Sequence, residues 1–206
     1  MIPIGIVTVN RNLVATRKQK PPRPSPRKRI FDSAAELFYR KGIRAVGVGT
    51  IAARAATPKM GLYRSYPSKD DLVADWLRDH DEKFWKNWDA MSRKYPGAPR
   101  KQLQAAFALL TKHVSDPSAR GCPMANAAVE ITEKDHPARK VIETHKTKLR
   151  AHLAQLCLLL GARESARLAD ELFLLMEGAQ VSTILGVRGP ARLVSHAAEA
   201  LIEAHL

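Results

Sequence analysis

Cysteine is scarce in this chain: Cys122 and Cys157, 35 positions apart, are the only two in 206 residues. That scarcity excludes a disulfide framework or a cysteine-based zinc cluster and points to a reducing compartment. Long apolar runs are missing too, so the sequence offers no transmembrane span and no membrane partner. The opening MIPIGIVTV is apolar but short. It lacks a preceding basic region and runs into basic polar sequence instead of a small-residue cleavage site, so it does not read as a signal peptide and the chain is expected in the cytoplasm. From residue 68 onward strand alternation is absent, and no internal repeat is evident. The marks of catalysis are lacking as well: there is no nucleophile elbow, Gly-rich phosphate loop or HExxH, and the carboxylates are scattered. Neither an enzyme nor a cofactor is expected. His136, His145 and His152 read as a solvated helix face. His145 and His152, seven apart, have no Cys or carboxylate partners at ligand spacing, so no metal site is assigned.

Acidic residues are the scarce class in the first third. Residues 1–70 hold 15 Lys and Arg against 3 acids, a net +12, whereas residues 121–206 hold 10 of each. Nearly all of the formal +14 is therefore segregated at one end, as expected of a chain that neutralises phosphates with one part and keeps the other for different work. The run RKQKPPRPSPRKR cannot bury enough apolar surface to fold alone, so residues 1–25 read as a disordered basic arm entering the first helix at about Pro26. The arm is placed either to track a DNA backbone or to trail as an idle tail.

The stretch VGTIAARAATPKMGLYRSYPSK, residues 48–69, carries the most specific signal. Val48, Ile51, Ala52 and Ala55 stand at i, i+3, i+4 and i+7, a narrow apolar stripe on a short helix. Thr57 then supplies an N-cap hydroxyl and Pro58 a favoured first position, so a second helix carries Lys59, Met60, Gly61, Leu62, Tyr63 and Arg64. Tyr66-Pro67 stops it, because the residue before a proline is driven out of the helical region. Ser68 can cap the next helix, with Asp70 and Asp71 at the positive end of its dipole. Two short helices, a tight connection and a capped third start make a helix-turn-helix DNA reader.

The segment RIFDSAAELFYRKGIRAVGVGTIAARAATPKMGLYRSYPSKDDLV resembles the DNA-binding domain of the TetR/AcrR family of bacterial transcriptional regulators. Ile30, Ala34, Leu37 and Phe38, the Gly42 stop, the Ile51-Ala52 pair, Leu62-Tyr63 and Pro67-Ser68-Lys69 carry the likeness. GCPMANAAVE at 121–130 and DHPARKVIETHKTKLRAHL at 135–153 resemble regulatory domains in one branch of the family. Two departures bear on recognition. Ala56 stands where the family usually places glycine in the turn, which costs about 1 kcal/mol or implies a slightly different turn. Gly47, Gly49 and Gly61 replace polar residues that could reach phosphates or base edges, so an operator sequence is not transferable.

Beyond Ser68 the sequence reads as long helices punctuated by proline and glycine, near 68–94, 99–114, 122–131, 137–160, 165–185 and 191–205. With three amino-terminal helices this makes an all-α chain of about nine. Residues 26–72 form the helix-turn-helix unit and 73–206 a regulatory and dimerisation unit, joined inside a rigid fourth helix near Trp76. A length of 206 residues and an apolar fraction of 45% suit two such units.

The resemblance implies a ligand cavity among helices four to eight. Trp85, Trp88, Met91, Phe107, Leu110, Met124, Asn126, Phe173 and Met176 are its candidate lining. Ordinary core packing is the competing reading for each apolar member. Asn126, an amide in an apolar segment, must pair with backbone, water or ligand. Cys122 sits at a probable helix start, where the dipole favours thiolate, so it is either a redox or electrophile sensor or an inert thiol; Cys157 reads as core. The last two helices carry Leu168, Leu172, Leu175 and Ala179 on one and Leu193, Ala197 and Leu201 on the other. The resemblance implies that these form a homodimeric four-helix bundle presenting two recognition helices to successive major grooves.

The resulting expectation is a ligand-responsive repressor on a near-palindromic operator, released by a small molecule. Thr50, Lys59, Met60, Gly61, Tyr63, Arg64 and Ser65 face DNA, and Lys69 holds a phosphate. Arg64 is the best base reader, through a bidentate contact to guanine, while Lys59, Tyr63 and Lys69 position the backbone. The alternatives are a cysteine-based redox or electrophile sensor, an effector-independent DNA-binding architectural protein, and a ligand-binding enzyme with an acquired basic tail, against which the absence of a polar cleft cluster counts.

Overall fold

The computed structural model describes residues 23–206, so most of the expected arm and the opening apolar stretch lie outside the described residues. Among the described residues the chain has ten helical segments and no strand. They are α1 (Pro26–Lys41), α2 (Val48–Arg54), α3 (Lys59–Ser65), α4 (Lys69–Ser92), α5 (Pro99–Ser115), α6 (Pro123–Glu130), α7 (Pro137–Leu160), α8 (Ser165–Ile184), α9 (Arg188–Ala191) and α10 (Val194–Ala204). The all-α expectation holds. Each of the nine expected helices is present, and the addition is the single turn α9, which moves the start of the last helix from 191 to Val194.

Local chemistry sets most of these boundaries. Proline opens α1, α5, α6 and α7, where its fixed φ suits the first turn and its missing N–H costs no bond. The Ser25 hydroxyl accepts from Lys28 N at 3.3 Å, so α1 begins within the basic run and Arg27, Lys28 and Arg29 are helical. The Ser68 hydroxyl accepts from Asp71 N at 3.0 Å, and Asp70 and Asp71 occupy the first turn of α4 as expected. α3 departs by one position. Pro58 itself is the N-cap, with extended backbone, and the Thr57 hydroxyl makes no capping bond.

Buried side chains form two clusters. The first joins Ile30, Leu37 and Phe38 of α1, Ile51 of α2, Leu62 of α3 and Leu72, Val73, Trp76 and Leu77 of α4 to Met124 and Ala127 of α6 and Ile142 of α7. The second joins Trp85, Trp88 and Met91 of α4 to Phe107, Leu153, Leu168, Leu172, Met176 and Ile202. The two divide on α4 between Leu77 and Trp85, so a 24-residue helix, not a linker, is common to both halves. A helix of that length behaves as a rod, and a tilt imposed at one end is felt at the other.

Candidate nucleic-acid interface

α3 buries Leu62 completely against α1 and α2 and turns its other side outward. Met60 is 65% and Tyr63 48% exposed, and Lys59, Arg64 and Thr50 are exposed with them. Large apolar and cationic groups on one solvent-facing helix side suit base edges and phosphates together. Gly61 and Ser65 are half-buried. The Ser65 hydroxyl donates to Gly61 O at 3.0 Å, back into its own helix, which takes it out of the outward set.

Two glycines read from sequence as lost contacts prove to be clearances. A methyl on Gly61 would lie 2.5 Å from the Thr57 hydroxyl oxygen, and one on Gly49 would lie 3.2 Å from Lys59 Cε. Gly61 therefore lets Thr57 fold over the first turn of α3, and Gly49 lets the Lys59 stem lie across α2. Ala56 adopts φ 48°, so the turn keeps the left-handed conformation that glycine normally supplies, and alanine bears the strain.

The structure gives Lys69 a partner within the chain. Its Nζ donates to Ile43 O at 2.6 Å, and burial holds its ammonium below the usual lysine range. The residue ties the start of α4 to the α1–α2 connection. Sequence reasoning also missed Arg29 and Arg27. Arg29 Nε donates to Ala55 O at 3.0 Å and Nη2 to Ala56 O at 3.4 Å, satisfying carbonyls left open where α2 ends. Arg27 Nη1 donates to Ser65 O at 2.7 Å. The signal was present: Arg27 and the buried Ile30 are three apart and so share a helix face.

The ligand candidates and Cys122 do not gather in one place. Trp85, Trp88, Met91, Phe107, Leu110 and Met176 are buried in the second cluster, with Phe173 packed against it, whereas Cys122 and Met124 belong to the first. Asn126 Nδ2 donates to Arg120 O at 2.7 Å, so its partner is backbone. Among the described residues, two buried side-chain polar atoms stay unpaired, Trp88 Nε1 and Ser92 Oγ, one turn apart on α4. An unmet donor in a core costs about 1–3 kcal/mol, which makes this the place in the second cluster where a polar ligand atom or water would gain most.

Between the clusters lies a polar seam. His145, read from sequence as solvated, is 2% exposed; its Nδ1 lies 2.7 Å from Asp81 Oδ1, which also accepts from Trp85 Nε1 at 2.8 Å. The reversal follows from helix phase, since Ile142, His145 and Leu149 share the inward stripe of α7. Burial pushes His80 down to about 4 and also lowers His145 and His152. Lys146 Nζ bonds the Glu177 carboxylate and lies 3.5 Å from Cys122 Sγ. Cys157 is buried, and burial pushes its thiol up to about 11. α6 and the connection before it are also tied to the reading head: Glu130 Oε2 accepts from Arg44 N at 2.8 Å, and Arg120 N donates to the Tyr39 hydroxyl at 2.8 Å.

The dimer candidates need a shift of phase. Leu168, Leu172 and Ala179 are buried within a single chain, so they are core and not an available surface; Leu175, Ala197 and Leu201 are half-buried and Leu193 is exposed. The apolar surface left uncovered on α8 is Leu174, Val181 and Ile184, continued by Leu185 at its C-cap, with Leu174 at 68% and Leu185 at 71%. Both faces of α8 are apolar, so periodicity alone could not say which one turns inward.

Fold and site together define a helix-turn-helix DNA-binding regulator on a helical body. The model of bacterial regulatory proteins, tetR family, matches residues 30–75. A TetR-family transcriptional regulator from Streptomyces coelicolor is similar at 25% identity and TM-score 0.82, over 87% of this chain and 95% of that one. A TetR-type regulator from Streptomyces avermitilis is 27% identical at TM-score 0.76, over 88% and 98%. The reduced form of Escherichia coli NemR shares the fold at 17% identity and TM-score 0.74, over 85% and 95%. No curated protein matches the sequence. The family-model match and these structural likenesses together support a TetR-family transcriptional regulator. No helix among the described residues is long and apolar enough to cross a membrane.

Proposed function

We propose that this chain is a homodimeric repressor that reads a near-palindromic operator in the cytoplasm through Lys59, Met60, Tyr63 and Arg64, with Thr50 at the rim, and that a small molecule releases it. The observation that carries the reading is the pairing of two outward faces: the cationic, aromatic side of α3 and the uncovered apolar side of α8. One suits a major groove and the other a second copy of α8 and α10. A ligand satisfying Trp88 Nε1 and Ser92 Oγ would act on α4, the helix both halves share, and so alter the separation of the reading heads. It releases DNA only if it binds the released conformation more tightly. Selection from random duplexes by the purified chain tests the reading. Arg64→Ala is expected to weaken the selected operator by about 1–3 kcal/mol and relax preference at one base position. A uniform loss across all sequences would show that Arg64 contacts phosphate.

A second reading, a redox or electrophile sensor, is favoured by Cys122 Sγ lying 3.5 Å from Lys146 Nζ, a thiol placed beside a cation. Cys122→Ser then leaves operator binding intact and removes its sensitivity to a thiol-reactive electrophile such as N-ethylmaleimide. Equal sensitivity in the variant and the parent chain argues against it.

A further inference from the structure

One guanidinium joins three helices where the reading head meets α4. Arg27, in the first turn of α1, donates from Nη1 to Ser65 O at 2.7 Å, the last residue of α3. Its Nη2 lies 3.3 Å from Asp75 Oδ2 on α4, and its Cζ stands 4.3 Å over the Tyr66 ring. The Tyr66 hydroxyl donates to the same Asp75 oxygen at 3.0 Å, while Arg78, one turn along α4, approaches the other Asp75 oxygen at 3.7 Å. Two positions on, Arg29 holds Ala55 O and Ala56 O, at the turn that leads into α3. The last residue of the recognition helix and the turn that leads into it are thus held from one turn of α1, and the holder of that last residue is itself held by α4.

We infer that Asp75, Arg27 and Tyr66 form a latch that sets the angle of α3 according to the position of α4, with Arg27 a positioning residue and not a DNA ligand. The inference rests on α3 being the DNA reader. As a surface ion pair the contact adds little to folding stability, because side chains 59% and 31% exposed are well screened. Its consequence lies in geometry. A carboxylate on α4 fixes a guanidinium whose second bond ends on the last residue of α3, so α4 cannot shift relative to α1 without the latch opening or α3 turning.

Asp75→Asn separates this from a phosphate contact by sign. Removing a negative charge beside DNA tightens binding if electrostatics alone acts. The latch instead expects operator affinity to fall roughly tenfold, as for loss of an orienting contact, with the slope of log K against log salt unchanged. Arg27→Gln and Tyr66→Phe should fall in the same direction, and Arg27→Gln combined with Asp75→Asn should cost no more than either alone. Amide hydrogen exchange on the full chain without DNA reads the latch independently. In Asp75→Asn the peptide spanning α3 should exchange roughly fivefold faster, with the α2 peptide unmoved. Operator affinity in Asp75→Asn equal to or above that of the parent chain overturns the latch, as does unchanged exchange in α3. Failure of the parent chain to select any sequence would instead strike at DNA reading, with the exchange arm still deciding the latch.

Discussion

Two helices of this chain turn an unusual face to solvent, α3 and α8, and they differ in what stands there. α3 presents Lys59 and Arg64 beside Met60 and Tyr63; α8 presents Leu174, Val181 and Ile184, with Leu185 at its C-cap. A mixed cationic and apolar face stays soluble when unpartnered and gains from a polyanion, whereas an uncharged one loses only by remaining wet. The contrast extends inward. Leu62 anchors α3 in a cluster that draws on α1, α2, α4, α6 and α7, while Leu168 and Leu172 anchor α8 in one that draws on α4, α5, α7, α9 and α10.

The largest expected effect breaks that comparison on the α8 side. Leu172→Arg buries an unpaired charge in the second cluster and should abolish folding, at several kcal/mol, seen as lost helical circular dichroism at 25 °C. Leu174→Arg, two residues away on the exposed face, should leave the fold intact. Equal loss in both would mean that Leu174 packs within its own chain.

Next in size is a pH effect confined to the seam between the halves. Burial holds His80 near 4, so protonation favours the unfolded chain, where its pKa is the ordinary 6.5. Its contribution is fully present above about 6.5 and is lost as pH falls towards 4. Between pH 7 and pH 5 stability should drop by about 2 kcal/mol, and His80→Gln should flatten that part of the curve in urea titrations. A slope unaltered by the substitution would remove His80 from the account.

The head was legible because its signals are local. Pro26, Pro67 and Ser68 each act on their own backbone, and the Ile51 and Ala55 positions follow from spacing alone. What escaped depends on groups far apart in sequence. Lys69 finds Ile43 O, Arg29 finds Ala55 O and His145 finds Asp81, and no window of periodicity contains both partners. On α8 the failure has another cause: with apolar residues on both sides, only the position of α7 and α10 decides which is buried. The proposed ligand lining scattered for the same reason, since α6 packs with the head and carries Cys122 and Met124 away from the tryptophans.

Smaller effects sharpen the comparison within the head. Lys69→Met should cost about 1–2 kcal/mol of stability through the lost bond to Ile43 O, while leaving the salt dependence of DNA binding nearly unchanged. A shallower salt slope at equal stability would show Lys69 to be a phosphate contact. Ala56→Gly should stabilise the fold by about 0.5–1 kcal/mol by relieving φ 48°, measurable as a rise in Tm; a fall would mean that the turn tolerates alanine without strain.

The central claim is that the two outward faces serve one act, α8 pairing two chains so that two copies of α3 read one operator. Sedimentation of the chain on its selected duplex tests it directly. The account expects two chains per duplex for the parent protein and, for Leu174→Arg, a folded monomer that occupies single half-sites with operator affinity reduced at least a hundredfold, as loss of paired half-sites requires. A Leu174→Arg chain that still sediments as a dimer and binds with full affinity would contradict it.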